Sequence, residues 1–374
     1  MKIKSFEFNL RELAGSTGDF GTLLPLAMGY IYVCGLNPAG FLVMMGLANI
    51  VTGLVYRLPM PIEPMKVLAV AAIAQHWTPS MVQASAFGMG VAWIIFAVTG
   101  IVGWIAKITP PSVIRGIQAA LGIMLAIEAA KLLLTGWLLG IISILVVIVL
   151  RNNRYAPAGV VLMALGMAVI YVKGGFQDIA APAFSIPPVN SVSLDEAWDT
   201  MVIAGFAQIP LTITNATIAT AALIAAYWPG RQVTVRNLSW NQGIMNMAAA
   251  FFGGMPMCHG AGGLAGQYYF GARTGGANII EGLLEISLGL FLSASIAGLF
   301  SVFPAAVIGA MMLMVGIELV MFTVETKTRL DVIPLAVTVI VSLSTNMALG
   351  FLAGIAAHRL VLKRSAEPDI SVRR

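Results

Sequence analysis

The stretch Gly253-Gly254-Met255-Pro256-Met257-Cys258-His259-Gly260-Ala261-Gly262-Gly263-Leu264-Ala265-Gly266-Gln267 lies inside a long apolar region. Its glycines and Pro256 make a continuous spanning helix costly, so part of its backbone is expected to be irregular. Irregular backbone at membrane depth is tolerated only where protein buries it or where it lines a watery cavity. A lipid-facing unpaired amide costs several kcal/mol, so the stretch is read as lining something. Leu58-Pro59-Met60-Pro61-Ile62-Glu63-Pro64-Met65-Lys66 has the same character, a proline-rich extended lead-in followed by a helix-forming run from Val67 to Gln75. Two interrupted hydrophobic segments at corresponding places in two halves point to the binding site of an inverted-repeat transporter.

Composition sets the class. With 59% hydrophobic and 10% charged residues in 374, the chain is too apolar for a soluble globular protein and reads as an all-α polytopic membrane protein. Charge gathers at Met1 to Arg11 and at Lys363 to Arg374, and no cleavable leader or soluble domain is expected at either end. Cys34 and Cys258 sit in separate apolar regions and form no disulfide framework. The net charge of +5 is assigned to membrane orientation rather than to a nucleic-acid partner.

A spanning helix needs about 20 residues. On that ruler the first half reads as Leu10 to Val33, Pro38 to Tyr56, Pro59 to His76, Met81 to Ala106, Val113 to Leu134, Leu138 to Leu150 and Ala158 to Val172. A proline-rich connection, Lys173 to Ser193, leads to Leu194 to Tyr227, Leu238 to Phe252, Gly254 to Ala272, Ile279 to Phe300, Ala305 to Phe322, Val332 to Ser344 and Ala348 to Leu362. An odd number per half makes the second half enter from the opposite side, the geometry of a 7+7 inverted repeat of 14 segments. With the amino terminus inside, Lys66 falls at mid-membrane and only Lys131 and Lys173 fall outside, a strong positive-inside signal with both termini cytoplasmic. Pro111-Ser112-Val113-Ile114 with Gly122-Ile123 also echoes Pro304-Ala305-Ala306-Val307-Ile308 with Gly316-Ile317.

In this topology Leu58 to Glu63 reaches the midplane as extended chain, covering roughly 20 Å at ~3.3 Å per residue. Pro64 to His76 then runs as a half-helix, with Pro64 suited to the first helical position and Glu63 near the cap. Gly254 to Cys258 descends from the other side, and a second half-helix runs from about Gly260 to Arg273. Two amino termini then face each other, each with unpaired amides and about half a positive charge, a seat for a small oxyanion. A neutral or cationic solute, with the helix starts satisfied by side chains, is the open alternative.

Lys66 either assists the anion or pairs with Glu63, since a lone ammonium at this depth is costly. Adjacent Cys258 and His259 make a poor zinc signal and lack a third orienting group for nucleophilic catalysis, so no metal, cofactor or enzyme activity is expected. Ala14-Gly15-Ser16-Thr17-Gly18-Asp19-Phe20-Gly21-Thr22 places a carboxylate among small residues, and Asp19 is either a coupling group or a structural carboxylate. Gln208-Ile209-Pro210-Leu211-Thr212-Ile213-Thr214-Asn215 joins a kink to uncharged donors and acceptors that can line the same cavity or bond a neighbouring helix. Glu128, Glu281, Glu285 and Glu318 lie in segments without breakers and are read as structurally paired.

The motifs Gly18-Asp19-Phe20-Gly21-Thr22, Pro59 through Lys66, Gln208 through Thr212, Pro256 through Ala265 and Phe270-Gly271-Ala272-Arg273 together resemble the molybdate transporter family, relatives of the sulfate permeases. The resemblance spans both halves. It implies 7+7 segments, repeats 1–180 and 181–374, with a core of about 1–108 plus 192–301 and a gate of about 109–176 plus 302–364. It also implies molybdate uptake across the inner or plasma membrane. The oxyanion would be held around Pro64, Met65, Lys66, His259, Gly260, Ala261 and Gly262, with Asp19, Gln208 and Thr212 lining the site. One departure from the family pattern is Glu63, where glutamine is expected; a carboxylate there repels an anion unless it is protonated or paired with Lys66.

The sequence thus leads to a proton-coupled carrier of a tetrahedral oxyanion, molybdate or a relative such as sulfate or tungstate, with a proton or another cation as coupling ion. A passive anion channel is the rival class. A homodimer in the bilayer is left open.

Overall fold

The computed structural model describes residues 2–3, 5–17, 20–150, 158–325 and 328–366. It is 79% helical, with sixteen helices among the described residues. In the first half these are α1 (Leu10–Ser16), α2 (Phe20–Tyr32), α3 (Pro38–Tyr56), α4 (Lys66–Ala74), α5 (Pro79–Thr99), α6 (Val102–Ile108), α7 (Pro111–Leu134), α8 (Trp137–Leu150) and α9 (Ala158–Val172). The second half has α10 (Leu194–Tyr227), α11 (Val235–Phe251), α12 (Ala261–Phe270), α13 (Gly276–Val302), α14 (Ala305–Met321), α15 (Arg329–Ser344) and α16 (Met347–Ala366). Five of them, α3, α5, α7, α10 and α13, are long and apolar enough to cross a membrane by length and composition. Leu47, Val51, Val55, Ile95 and Val98 on α3 and α5 are exposed, as suits residues that face lipid rather than water.

Helix ends follow local chemistry. Asn37 and Thr78 accept backbone N–H bonds at the starts of α3 and α5, and each helix has proline in its first turn, where no N–H is needed. The segment expected as one helix from Met81 to Ala106 is instead two, because Gly100 takes a left-handed φ of 71° and ends α5. Long helices cross in pairs: α3 against α13, α5 against α11, and α7 against α14. The last pair carries the echoed Gly122 and Gly316, and a Cβ on Gly122 would sit 2.5 Å from the Gly316 carbonyl, so only glycine permits this crossing.

The interrupted segments differ from the expected extended chain in one respect. They pair. Strand β1 (Ile62–Pro64) runs antiparallel to strand β2 (Met257–His259), with Ile62 opposite His259, Glu63 opposite Cys258 and Pro64 opposite Met257. Exposed backbone in a dry interior must find partners, and each broken segment supplies the other's. Pro64 therefore ends the strand rather than opening the helix, and the Met65 N–H extends the pairing to the Pro256 carbonyl at 2.9 Å. Lys66, expected one turn into the half-helix, is its first residue. Gly18 and Asp19 lie outside the described residues.

Candidate functional site

Helices α4 and α12 have nine and ten residues. At ~1.5 Å per residue each is about half of a ~30 Å hydrocarbon span, as half-helices should be. Because the strands that precede them pair antiparallel, the helices leave the three-residue ladder at its opposite ends, α4 beside Met257 and α12 beside Ile62, with Glu63 and Cys258 between their starts. Met65 and Gly260 are their extended cap residues, and neither supplies a side-chain cap. Ala261, Gly262 and Gly263 of the first turn of α12 have amides with no protein acceptor among the described residues.

Two asparagines hold the strands from outside. Asn278 accepts the Met60 N–H at 2.7 Å and donates to the Met60 carbonyl at 2.6 Å. Asn246 accepts the Met257 N–H at 2.7 Å and donates to the Met257 carbonyl at 2.7 Å. A carboxamide has the donor and acceptor of a peptide group, so each asparagine serves as one residue of a missing neighbouring strand. Asn278 also donates to Asn49 at 2.9 Å, and Asn49 donates to the buried Glu285 carboxylate at 2.9 Å.

A small polar cavity lies beside the strand pair at the start of α4, lined by Glu63, Lys66, Gln208, Leu211, Thr212, Asn215, Ala216 and Cys258. Five of these come from α10, whose path is adjusted by π-helical stretches at Met201–Gly205 and Ile213–Ala219 on either side of Pro210. Gln208 Oε1 accepts the Val67 N–H at 2.7 Å, and Gln208 Nε2 donates to Thr212 Oγ1 at 2.6 Å. Lys66 Nζ is 3.6 Å from Glu63 Oε2; the Lys66 side chain is 29% exposed and that of Glu63 only 4%. Glu318 of α14, read from sequence as a structural carboxylate, acts electrostatically on Lys66.

Strand alternation sorts the other residues. Glu63 and Cys258, opposite each other in the register, face the cavity. His259, one residue on, faces away: its Nδ1–H points to the Pro61 carbonyl at 3.4 Å and its ring meets Tyr56 edge-on at 6.1 Å. Its buried Nε2 has no hydrogen-bond partner among the described residues. The structure thus brings Glu63, Lys66, Gln208, Thr212 and Asn215 together at the start of α4, sets Gly260 and Gly263 against Glu63 but outside the cavity lining, places His259 behind the strand, and adds Cys258, Asn246 and Asn278. Asn246 and Asn278 carried no sequence signal beyond being polar in apolar helices.

The space open to a water centre in the cavity is about 10 Å³, room for roughly one water. A five-atom oxyanion does not fit without movement of the lining side chains. Electrostatically the cavity joins the start of α4 and one ammonium to one carboxylate.

Comparison with known proteins agrees with this geometry. SLC26A9 superposes with a TM-score of 0.72 at 15% identity, covering 98% of this chain and 67% of that one. The transmembrane domain of the cyanobacterial bicarbonate transporter BicA superposes with a TM-score of 0.67 at 16% identity, covering 93% and 97%. The chain therefore has the fold of these transporters. Molybdate transporter 1 of Arabidopsis thaliana is 29% identical over 401 residues, covering 93% of this chain and 87% of its own. These relatives are transporters rather than enzymes. The family described as "Molybdate transporter of MFS superfamily" matches residues 11–125 and 200–319, both broken segments included. With more than half of its length so matched, this integral membrane protein belongs to the molybdate transporter family.

Proposed function

We propose that the protein is a secondary active transporter that imports a tetrahedral oxyanion, molybdate before tungstate or sulfate, by proton symport and alternating access. The observation that carries the proposal is the pairing of Ile62–Pro64 with Met257–His259, which sets the starts of α4 and α12 at the two ends of one short ladder whose central residues, Glu63 and Cys258, line a polar cavity. In this reading the oxyanion lies between the first turns that follow Pro64-Met65-Lys66 and Gly260-Ala261-Gly262, with the Lys66 ammonium, Gln208 and Thr212 completing the shell. His259 contributes from behind, through the Pro61 carbonyl. A cavity that holds one water supports a carrier with a closed site over an open channel.

Coupling follows from charge. Moving a dianion inward against 100 mV costs about 4.6 kcal/mol, at roughly 2.3 per charge, and cotransported protons offset it. Glu63 is the proposed proton carrier at the site, and Asp19 a second coupling residue. The fourteen-segment 7+7 repeat is supported by the order of elements, since each half has one paired strand and half-helix between long helices. Crossings of α3 with α13 and of α5 with α11 exchange under the corresponding two-fold. Core (about 1–108 and 192–301) then moves against gate (about 109–176 and 302–364), in the inner or plasma membrane with both termini cytoplasmic.

Uptake of labelled molybdate by reconstituted protein tests the proposal. An inward proton gradient is expected to accelerate uptake in the wild type, and Glu63→Gln to remove the acceleration. Uptake that ignores the gradient refutes symport, and uptake unaffected by excess tungstate and sulfate refutes a general oxyanion seat.

A further inference from the structure

Each helix start has a side chain of the protein itself against it, hydrogen-bonded to an amide at α4 and packed against the first turn without a hydrogen bond at α12. At α4, the Val67 amide is taken by Gln208 Oε1 at 2.7 Å, and the bond from Gln208 to Thr212 holds the carboxamide in that pose. At α12, the Glu63 carboxylate lies against the first turn: a Cβ on Gly260 or Gly263 would stand 2.5 or 2.2 Å from Glu63 Oε1. A Cβ on the intervening Gly262 would meet nothing within 4 Å. Glycine is thus required at the two positions that border the carboxylate, and the seat there is shaped to a carboxylate belonging to the chain itself.

We infer that Glu63 and Gln208 are internal stand-ins for the oxyanion, covering the two helix starts whenever the oxyanion is elsewhere and giving way as it binds, so that the unloaded carrier can complete its cycle. The inference rests on the oxyanion-carrier reading above. Unpaired first-turn amides in a dry interior are costly, and a carrier without covers would bear that cost on every unloaded crossing. Such a protein would cross only when loaded, as an obligate exchanger. With the covers, net uptake becomes open to it.

Charge gives the covers a second consequence. The groups facing Glu63 are Lys66 from its own segment and Cys258 from the paired strand, with Glu318 of α14 acting on Lys66. The pair of Glu63 and Lys66 is neutral as a whole. A dianion entering beside an ionised Glu63 would face its repulsion, so Glu63 takes a proton from the aqueous side as it leaves the α12 start. One proton then travels with each oxyanion.

Net uptake and equilibrium exchange of labelled molybdate, measured on the same proteoliposomes, test the inference. In the wild type the two fluxes are of the same order. Gln208→Ala raises the ratio of exchange to net uptake about tenfold, as expected from uncovering a buried amide, and Glu63→Ala raises it by removing the negative charge that sits against the α12 start. Gly263→Ala, which pushes the carboxylate off the helix start, moves the ratio the same way. Because both fluxes come from one preparation, loss of folded protein cancels. An unchanged ratio in Gln208→Ala and Glu63→Ala, or a wild type that exchanges without net uptake, overturns the stand-in role. A wild type with neither flux refutes the carrier reading itself.

Discussion

Neighbouring glycines in the first turn of α12 should respond oppositely to the same added methyl group. In Gly263→Ala the new Cβ lies 2.2 Å from Glu63 Oε1 and 2.9 Å from Pro61 Cγ. The buried Glu63 carboxylate must leave its place, and Pro61, in the lead-in of the strand, does not yield freely. Overpacking of this kind costs about 1–3 kcal/mol. In Gly262→Ala the Cβ meets nothing within 4 Å, and the backbone there is not in the left-handed region. The gain from a less flexible unfolded chain is then about 0.4–1 kcal/mol. The two variants should differ by about 1.5–4 kcal/mol, on the order of 10- to 1000-fold in the ratio of folded to unfolded protein. Thermal unfolding of both purified proteins in one detergent provides the readout, with Gly262→Ala at or above the wild type and Gly263→Ala below it. The opposite order would falsify the placement of Glu63 against α12.

Lys66→Met removes the ammonium of the cavity and should weaken molybdate binding about 10- to 100-fold, the worth of a charge-assisted hydrogen bond, as titration calorimetry would show; unchanged affinity removes Lys66 from the site. Asn246→Ala and Asn278→Ala each strip two backbone groups of their partners, so each should cost about 2–6 kcal/mol and lower the unfolding midpoint, and a midpoint equal to the wild type refutes the clamp. Cys258 lines the cavity and Cys34 does not, so in a Cys34→Ala background a small thiol reagent should inhibit uptake and molybdate should slow the inhibition. Inhibition at an undiminished rate would place Cys258 away from the oxyanion.

Much of the helical framework was legible because glycine, proline and polar caps interrupt an otherwise apolar chain at places that physics makes expensive. Both broken segments and the half-helices that follow them came from that reasoning. The strand pairing did not, since three-residue strands nearly 200 positions apart leave no local periodicity, and residues buried on every side show no alternation of polar and apolar. The pairing also displaces Pro64: proline suits the first turn of a helix, whereas here it closes a strand. The break at Gly100 was hidden by apolar residues on both sides, which read as one span.

The most direct test of convergent helix starts is to locate the metal itself. Anomalous scattering at the molybdenum edge, from crystals of the protein grown with molybdate, should give one peak between α4 and α12, with oxyanion oxygens about 2.9 Å from first-turn amide nitrogens. That peak should come with Glu63 and Gln208 moved off the helix starts. A peak elsewhere, with Gln208 still bonded to the Val67 amide and Glu63 still against Gly260 and Gly263, would contradict it.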